Sequence, residues 1–313
     1  MKRFGRYAEV RIKNQFREKT FTSNGFRMRF DVRHTIGSVR GSIGKIEIFN
    51  LSAETEDDLL VRNTECELKA GHKDMFSTIY LGSIMRVERG REDVDRFLRI
   101  HLRVGIQLEQ TIMIALGGAN SARTAVKTII DALKRDMIFE GVELDESSLN
   151  IIPQSAIVRN WSFTGPARLA LDELLAGFTP TDQNYRLSWD LVGTTISIVS
   201  TNKGREFLDT GNGGVEFPPV EQKFKVSETN GLIGLPEKLE AGIRTKVLLT
   251  PAVKTNQLME VLPPMGIRGE GPSGSASSLG FYVGKQWRTV AVRHSGDTWG
   301  GDYYTEIEGR ILD

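Results

Sequence analysis

The sequence predicts a mainly β protein in which a small α+β segment is inserted between two β-rich segments. Apolar and polar residues alternate with period two through the first third, and similar strand patterns return in the last third. Helical spacing of apolar residues occurs only in the middle third. The 313 residues exceed the usual size of one domain, which favours two or three packed units.

Residues 1–104 are the first predicted β-domain. In the segment 26–33 every second residue is apolar and the residues between them are charged, so each class occupies one strand face. A short helix is expected at 53–62, with Ser52 as its N-cap and acidic residues in the first turn, where the helix dipole favours them. We predict further strands at 45–49, 64–70, 78–87 and 97–104 of a mostly antiparallel, barrel-like sheet.

Residues 105–200 are the predicted α+β domain. Apolar residues follow a helical stripe from 123 to 137, and Asn120 or Ser121 can cap this helix. A second helix is expected to begin at Pro166, because proline is favoured at the first helical position, and to end at Gly177. Short strands are predicted around Ile151, at 185–189 and at 194–200.

Residues 201–224 are rich in glycine and proline and are interpreted as a linker. Residues 225–313 form the second predicted β-domain. The stretch 266–278 has no hydrophobic pattern and is expected to be a mobile loop. The strands predicted in this domain are 243–249, 258–262, 280–292 and 303–311.

The charge balance argues against a generally basic nucleic-acid binder. Lys and Arg total 41 and Asp and Glu total 40, a formal net charge of +1. The charge is uneven, because residues 1–104 carry +6, residues 105–200 carry −4 and residues 201–313 carry −1. Part of the positive excess forms two rows on polar strand faces. These rows are Arg27, Arg29 and Arg33, and Arg99, His101 and Arg103.

Neither row carries interleaved aromatic residues, because Phe26 and Phe30 lie on the opposite strand face. We therefore expect solvated or subunit-facing surfaces with Asp and Glu partners, and not a platform for single-stranded nucleic acid. The Arg27 row is expected to face outward or toward a neighbouring subunit.

The chain shows no targeting or membrane-spanning pattern. The N-terminus lacks the apolar core of a signal peptide, and no run of about 18 apolar residues occurs. We expect a soluble chain made in a cytoplasm. The single cysteine, Cys66, excludes an intrachain disulfide and a cysteine-cluster metal site, and flanking glutamates favour an inert strand cysteine.

Signatures of catalysis are absent. The sequence contains no HExxH, GxSxG or Walker A motif, and the glycine-rich stretches at 211–214 and 269–271 are interpreted as plain turns. Adjacent acids could form a glycosidase pair only if they faced each other across a cleft, so solvated acids are favoured. We therefore predict no catalytic, cofactor-binding or metal-binding residues and no enzyme activity. The histidines considered are His34, His72, His101 and His294, and the acid pairs are Asp57–Asp58, Glu92–Asp93 and Asp145–Glu146.

The run HSGDTWGGDYYT at 294–305 is the most distinctive local feature. His294, Asp297 and Asp302 could serve as ligands, or could form a sugar-binding cluster with Trp299. The favoured interpretation is a hairpin with a turn at 295–302, in which Asp297 and Asp302 satisfy nearby backbone N–H groups.

Three stretches together resemble baseplate hub proteins of tailed bacteriophages, which are related to the hub part of type VI secretion spike proteins. The first runs from IEIFNLS at 46–52 through 63–64 and 70–71 to IYLGSI at 79–84. The second is NGLIGLPE at 230–237, followed by GIRTKVLLTP at 242–251, and the third is the run at 294–305. The middle domain matches by position and not by motif.

The resemblance implies two tube-type β-barrel domains flanking the α+β domain, in a structural virion protein without catalytic residues or cofactors. It implies a homotrimer whose six barrels form a pseudo-sixfold ring joining the tail tube to the central spike or tail tip. Expected partners are the tail tube protein, the spike or tail-tip protein and other baseplate proteins. Genomic DNA would pass through without specific binding, and no part of the chain would insert into a membrane. The ring would be assembled in the host cytoplasm and belong to the baseplate of the virion.

Two alternatives stay open at this point. One is a tail-associated cell-wall hydrolase that uses a carboxylate pair. The other is a carbohydrate-binding receptor module that uses Trp299, Tyr303 and Tyr304.

Overall fold

The structure is a computed structural model that is mainly β, as the sequence predicts. The residues that it describes are 5–13, 18–36, 42–59, 65–72, 75–135, 142–178, 187–192, 195–200, 223–240, 242–262 and 286–311. Most of the predicted linker at 201–224, all of the predicted loop at 266–278 and both glycine-rich stretches lie outside these residues.

The described residues of the first third form seven strands and one helix. The alternating segments pack one face into the core, which confirms the predicted strand faces. Two strands before residue 23 were not predicted. The elements are β1 (Arg6–Lys13), β2 (Glu18–Thr22), β3 (Met28–Thr35), β4 (Ile43–Phe49), α1 (Ala53–Leu59), β5 (Glu65–His72), β6 (Met75–Glu92) and β7 (Asp95–Arg103).

The middle third combines two helices with short sheets. Its elements are β8 (Thr111–Ser121), α2 (Ala122–Arg135), β9 (Glu143–Leu144), β10 (Ile157–Pro166), α3 (Ala167–Ala176), β11 (Leu187–Val192) and β12 (Thr195–Ser200). β8 and β10 pair as an antiparallel ribbon that was not predicted, and β11, β12 and β9 form a separate sheet.

The helix ends follow the predicted signals closely. The Ser121 hydroxyl accepts a hydrogen bond from the Thr124 amide at 3.1 Å, which is the expected capping contact of α2. Pro166 precedes α3 as its cap residue, and Gly177 ends the helix. The strand predicted around Ile151 is wrong. That residue ends a 3₁₀ helix, Glu146–Ile151, which Asp145 caps by accepting from the Ser147 amide.

The described residues of the last third form six strands. The predicted strand 303–311 is confirmed at both ends, whereas the strand before it runs to Asp297 and not to 292. The strands are β13 (Phe224–Val226), β14 (Glu237–Leu239), β15 (Gly242–Leu248), β16 (Leu258–Val261), β17 (Gln286–Asp297) and β18 (Tyr303–Ile311).

One continuous sheet joins the first and last thirds of the chain. Its strand order is β14-β15-β18-β17-β3-β4-β7-β6-β5-β1-β2, so β3 and β17 form the junction. On one face of the sheet lie buried apolar side chains such as Phe30, Ile46 and Leu98. The other face is predominantly charged. We call this second face the polar face, and we call the β3–β17 pair the seam.

The apolar side of the sheet encloses two groups of buried side chains. The larger group extends from the first third into the α+β region, and the smaller one surrounds Trp287 and Ile307. The Tyr303 hydroxyl of β18 donates to carbonyl oxygens of Tyr7 (2.6 Å) and Gly71 (2.7 Å), on strands that lie far from β18 in the strand order. These contacts show that the sheet curls strongly. The division into two tube-type barrels stays a prediction.

Candidate assembly surface

The seam is held by charged side chains on the polar face as well as by backbone hydrogen bonds. Arg293 of β17 donates to both carboxylate oxygens of Asp31 on β3, at 2.8 and 2.6 Å. Burial disfavours ionisation of Asp31, but the Arg293 guanidinium outweighs it and lowers the pKa of that carboxyl below its ordinary value. Arg33 reaches Glu308 of β18 at 3.4 Å. These ion pairs connect residues that lie more than 260 positions apart.

The turn between β17 and β18 is fixed to the start of β1. The Arg6 guanidinium donates to the carbonyl oxygens of Asp297 (2.7 Å), Gly300 (2.9 Å) and Gly301 (2.9 Å). The Asp297 carboxylate in turn accepts from Arg27 at 2.7 Å and from the Trp299 amide at 3.0 Å. Trp299 itself is 70% exposed on this turn. The result is a preorganised turn that presents a large aromatic side chain to solvent.

The predicted turn is confirmed, and the ligand cluster imagined there is not formed. The Asp297 side chain satisfies a local N–H group as expected, whereas Asp302 contributes its backbone carbonyl, which accepts from the Asp297 amide at 2.8 Å. His294 lies on the interior face, since its Nδ1 is 2.9 Å from the Thr305 hydroxyl. Asp297 lies on the polar face, so the sheet separates these two side chains.

The aromatic residues of the same run lie in different environments. Tyr303 is buried beneath the sheet, and burial raises the pKa of its hydroxyl to about 12. Tyr304 lies on the opposite face, where the Lys246 ammonium stands 3.5 Å above its ring. Trp299, Tyr303 and Tyr304 therefore form no shared sugar-stacking surface.

A chain of ion pairs continues across the polar face. Glu47 of β4 is nearly inaccessible, yet its carboxylate accepts from Arg29 at 3.2 Å and from Arg99 at 2.8 Å. Arg29 also donates to Glu92 at 2.9 Å. These Glu92 hydrogen bonds raise the pKa of Arg29 further, against the opposing effect of burial.

A second carboxylate that contacts two arginines, as Glu47 does, lies nearer the other edge of the sheet. We call each such carboxylate a node. Glu308 accepts from Arg244 at 3.0 Å and is reached by Arg33 at 3.4 Å. An open groove of about 310 Å³ lies here, and its walls are the side chains of Arg33, Ala291, Arg293, Arg244, Glu306 and Glu308. Three arginines and two glutamates line the groove, so its lining carries a formal excess of one positive charge.

The predicted arginine rows thus have the carboxylate partners that were expected of them. Arg27 pairs with Asp297, Arg29 with Glu47 and Glu92, and Arg33 with Glu308. In the second row, Arg99 pairs with Glu47, Arg103 pairs with Glu109 at 3.0 Å, and His101 lies 3.5 Å from Glu88. Sequence reasoning gave no partner by number, because most of these pairs join different strands; the exception is Glu109, which follows β7 and lies six residues after Arg103.

At least one acid of each candidate pair makes a structural contact. Asp57 pairs with Arg89, and the adjacent Glu56 is almost wholly buried against Arg89 and Arg96. Glu92 holds Arg29, and Asp145 caps a 3₁₀ helix. Cys66 is buried, and burial together with its glutamate neighbours raises the pKa of its thiol. In the described part of the chain no three His, Cys, Asp or Glu residues are grouped to hold a metal ion.

Comparison with known proteins identifies the fold. No family profile and no curated protein sequence matches the chain. Among solved structures, a tail protein of Neisseria meningitidis MC58 is similar over 98% of this chain and 97% of its own, with TM-score 0.55 and 11% identity. A 43 kDa tail protein of prophage MuSo2 from Shewanella oneidensis is similar over 98% and 99%, with TM-score 0.58 and 8% identity.

A third similar structure is the E. coli c3393 protein, a component of the type VI secretion system. It is described as structurally similar to the T4 bacteriophage tail proteins gp27 and gp5. It matches over 92% of this chain and 74% of its own, with TM-score 0.52 and 9% identity. The chain has a phage tail hub-like fold. The predicted resemblance to tail hubs and to type VI spike components is therefore confirmed at the level of the fold.

In this hub-like fold, the seam is the feature that sequence reasoning missed. The period-two pattern identifies β3 and β17 separately, but it contains no information on which strand pairs with which. The complementary charges of Asp31 and Arg293 were present as a signal, although many other charge pairs would have satisfied it equally.

None of the described helices has the length and apolarity needed to cross a membrane.

Proposed function

We propose that the chain is a structural component of a phage tail baseplate, a hub subunit that assembles as a homotrimer. The observation that carries this proposal is the similarity to two tail proteins along nearly the whole length of all three chains. In this proposal the ring joins the tail tube to the central spike or tail tip, surrounds the DNA channel, and contacts other baseplate proteins. It assembles in the host cytoplasm and remains in the virion.

The continuous sheet supports the proposed symmetry. Each chain supplies two β-rich segments joined edge to edge at the seam, so three chains would supply six. Closing such segments into a ring would also cover strand edges, which otherwise promote aggregation. The rigid turn that carries the exposed Trp299 has the character of an interface anchor, because large aromatic side chains on preorganised backbone contribute strongly to binding.

Native mass measurement tests the proposal directly. The chain has a mass of 34.9 kDa, so a trimer would have a mass of three times that value, about 105 kDa. Particles of that mass support the hub function. A chain that stays monomeric at every concentration, including in the presence of its tail tube protein, would contradict it.

The enzyme and sugar-binding alternatives gain no support from the described residues. One acid of each candidate pair holds an arginine or a helix end, and the aromatic side chains point to different faces. We therefore propose a non-enzymatic role. Zymography on bacterial cell walls and glycan binding by the full chain are the corresponding experiments, and activity in either would favour that alternative.

A further inference from the structure

The polar face carries many arginines, and several of them touch a carboxylate on a neighbouring strand. Free guanidinium groups spaced along a sheet would bind the phosphates of nucleic acid with little regard to sequence. Here the same groups are already engaged in charge-assisted hydrogen bonds. The polar face therefore has the composition of a nucleic-acid surface without its available charge.

We infer that Glu47 and Glu308 mask the arginines of the polar face, so that duplex DNA passes this surface without binding to it. This inference deepens the proposed function, and its role in a DNA channel rests on that function. The masking itself is a property of the single chain.

Glu47 is the inner masking node. Its side chain is 2% exposed, so it cannot itself repel a polyanion effectively from solvent, but it accepts from Arg29 and Arg99 on the two strands beside it. Both arginines remain one-third exposed. Loss of the carboxylate would leave two accessible guanidinium groups with fewer anionic contacts.

Glu308 is the outer masking node. One of its oxygens accepts from Arg244 at 3.0 Å, and the other is 3.4 Å from Arg33. These arginines are 37% and 45% exposed and line the groove on this part of the face. The two nodes together restrain four arginines.

This pairing also changes the expectation for the Arg27 row. The row was expected to avoid a channel wall because free arginines would retain DNA. With Arg27, Arg29 and Arg33 each matched by acids, that electrostatic objection no longer applies. Either position of the row is compatible with DNA passage.

Fluorescence anisotropy of a labelled mixed-sequence DNA duplex tests the inference on the full chain. The double variant Glu47→Gln, Glu308→Gln should bind at least about tenfold more tightly than wild type at about 50 mM salt. Its log affinity should fall with log salt with a slope of about −2, since each phosphate contact contributes about −0.9. Adding Arg29→Gln and Arg244→Gln, which removes two of the four released arginines, should reduce the gain.

The matched control is Glu146→Gln, Glu173→Gln in the α+β region, which makes the same change in net charge away from the polar face. Glu146 pairs with Lys127, and Glu173 accepts from the Trp161 indole, a bond that glutamine retains. This control should bind DNA no better than wild type. Equal gains in both double variants would show a net-charge effect and overturn the inference.

Two further outcomes would overturn it. One is tight duplex binding by the wild-type chain, and the other is a folded double variant that gains no affinity. If the buried Glu47 position does not tolerate glutamine, Glu308→Gln alone provides the test, with a smaller gain expected. A trimer that binds DNA contradicts only the masking, whereas a monomer whose double variant gains binding contradicts only the hub function.

Discussion

Acid should destabilise this protein well above the pH at which its carboxylates titrate, because a histidine is buried in the sheet interior. His294 is inaccessible, and the one described hydrogen-bonding contact of its ring is the Thr305 hydroxyl. Burial, with a smaller effect from nearby His34, lowers the pKa of His294 to about 3. An unfolded chain would protonate the same ring near its ordinary pKa of about 6.5.

The direction follows from proton binding. Below about pH 6.5 the His294 ring is protonated in the unfolded state, whereas in the folded state it stays neutral down to about pH 3. The free energy of unfolding therefore falls as pH falls. At about 1.4 kcal/mol per pH unit, His294 alone should cost about 2 kcal/mol between pH 7 and pH 5. Burial also lowers the pKa of His34, which adds in the same direction. Burial raises the pKa of Asp190, which opposes both at the acid end.

The measurement is urea unfolding at a series of pH values between 7.5 and 5, followed by tryptophan fluorescence. Glutamine at position 294 cannot titrate, so His294→Gln should lose about 2 kcal/mol of the pH-dependent difference, whatever its stability at pH 7. His101→Gln, on the partly exposed polar face, is the matched control and should change the difference much less. An unaltered pH dependence in His294→Gln would refute the reasoning, since it would mean that His294 accepts a proton in the folded state.

Three further substitutions test separate parts of the structure. Gly296→Ala would place a Cβ 2.4 Å from the ring of the buried Phe30, so we expect a loss of about 3 kcal/mol in urea unfolding. Arg293→Ala removes both hydrogen bonds to Asp31 across the seam and should cost about 1 kcal/mol, because both partners are partly exposed; an undiminished midpoint would argue against a structural role for the pair. Trp299→Ala should leave the unfolding midpoint nearly unchanged but reduce the fraction of trimer in native mass spectra, and an unchanged fraction would exclude Trp299 from the proposed interface.

Local patterns were enough to predict strand faces and helix ends. The alternation in 26–33 correctly placed Phe30 and Val32 in the core, and Ser121 and Gly177 marked helix ends as expected. These features depend on the chemistry of neighbouring residues, which a sequence displays directly. The strand predicted around Ile151 was wrong because a local signal was overlooked: Asp145 caps a 3₁₀ helix that ends at Ile151.

Long-range pairing was beyond reach from one sequence. The ribbon of β8 and β10 was missed because 111–121 contains no charged residue, and its apolar run ends in small residues that weaken the alternation. Nothing local indicates that β17 pairs with β3, although their sequences are compatible. The charged contacts of the seam depend on that register, so they could be interpreted only after the sheet was known.

The low identity to similar tail proteins, 8 to 11%, is physically compatible with the same fold. A curled sheet requires apolar side chains on its inner face and compatible partners on its outer face, and many residue choices satisfy both. The outer face has a further constraint when neighbouring strands both carry arginines. Each arginine then needs a carboxylate in register, as Arg29 and Arg99 share Glu47. Such a face tolerates exchanges of charged pairs between strands, whereas the loss of a single carboxylate leaves its arginines with fewer anionic contacts. The acids at 47 and 308 are therefore the positions at which substitution should change how the surface meets DNA while the fold persists.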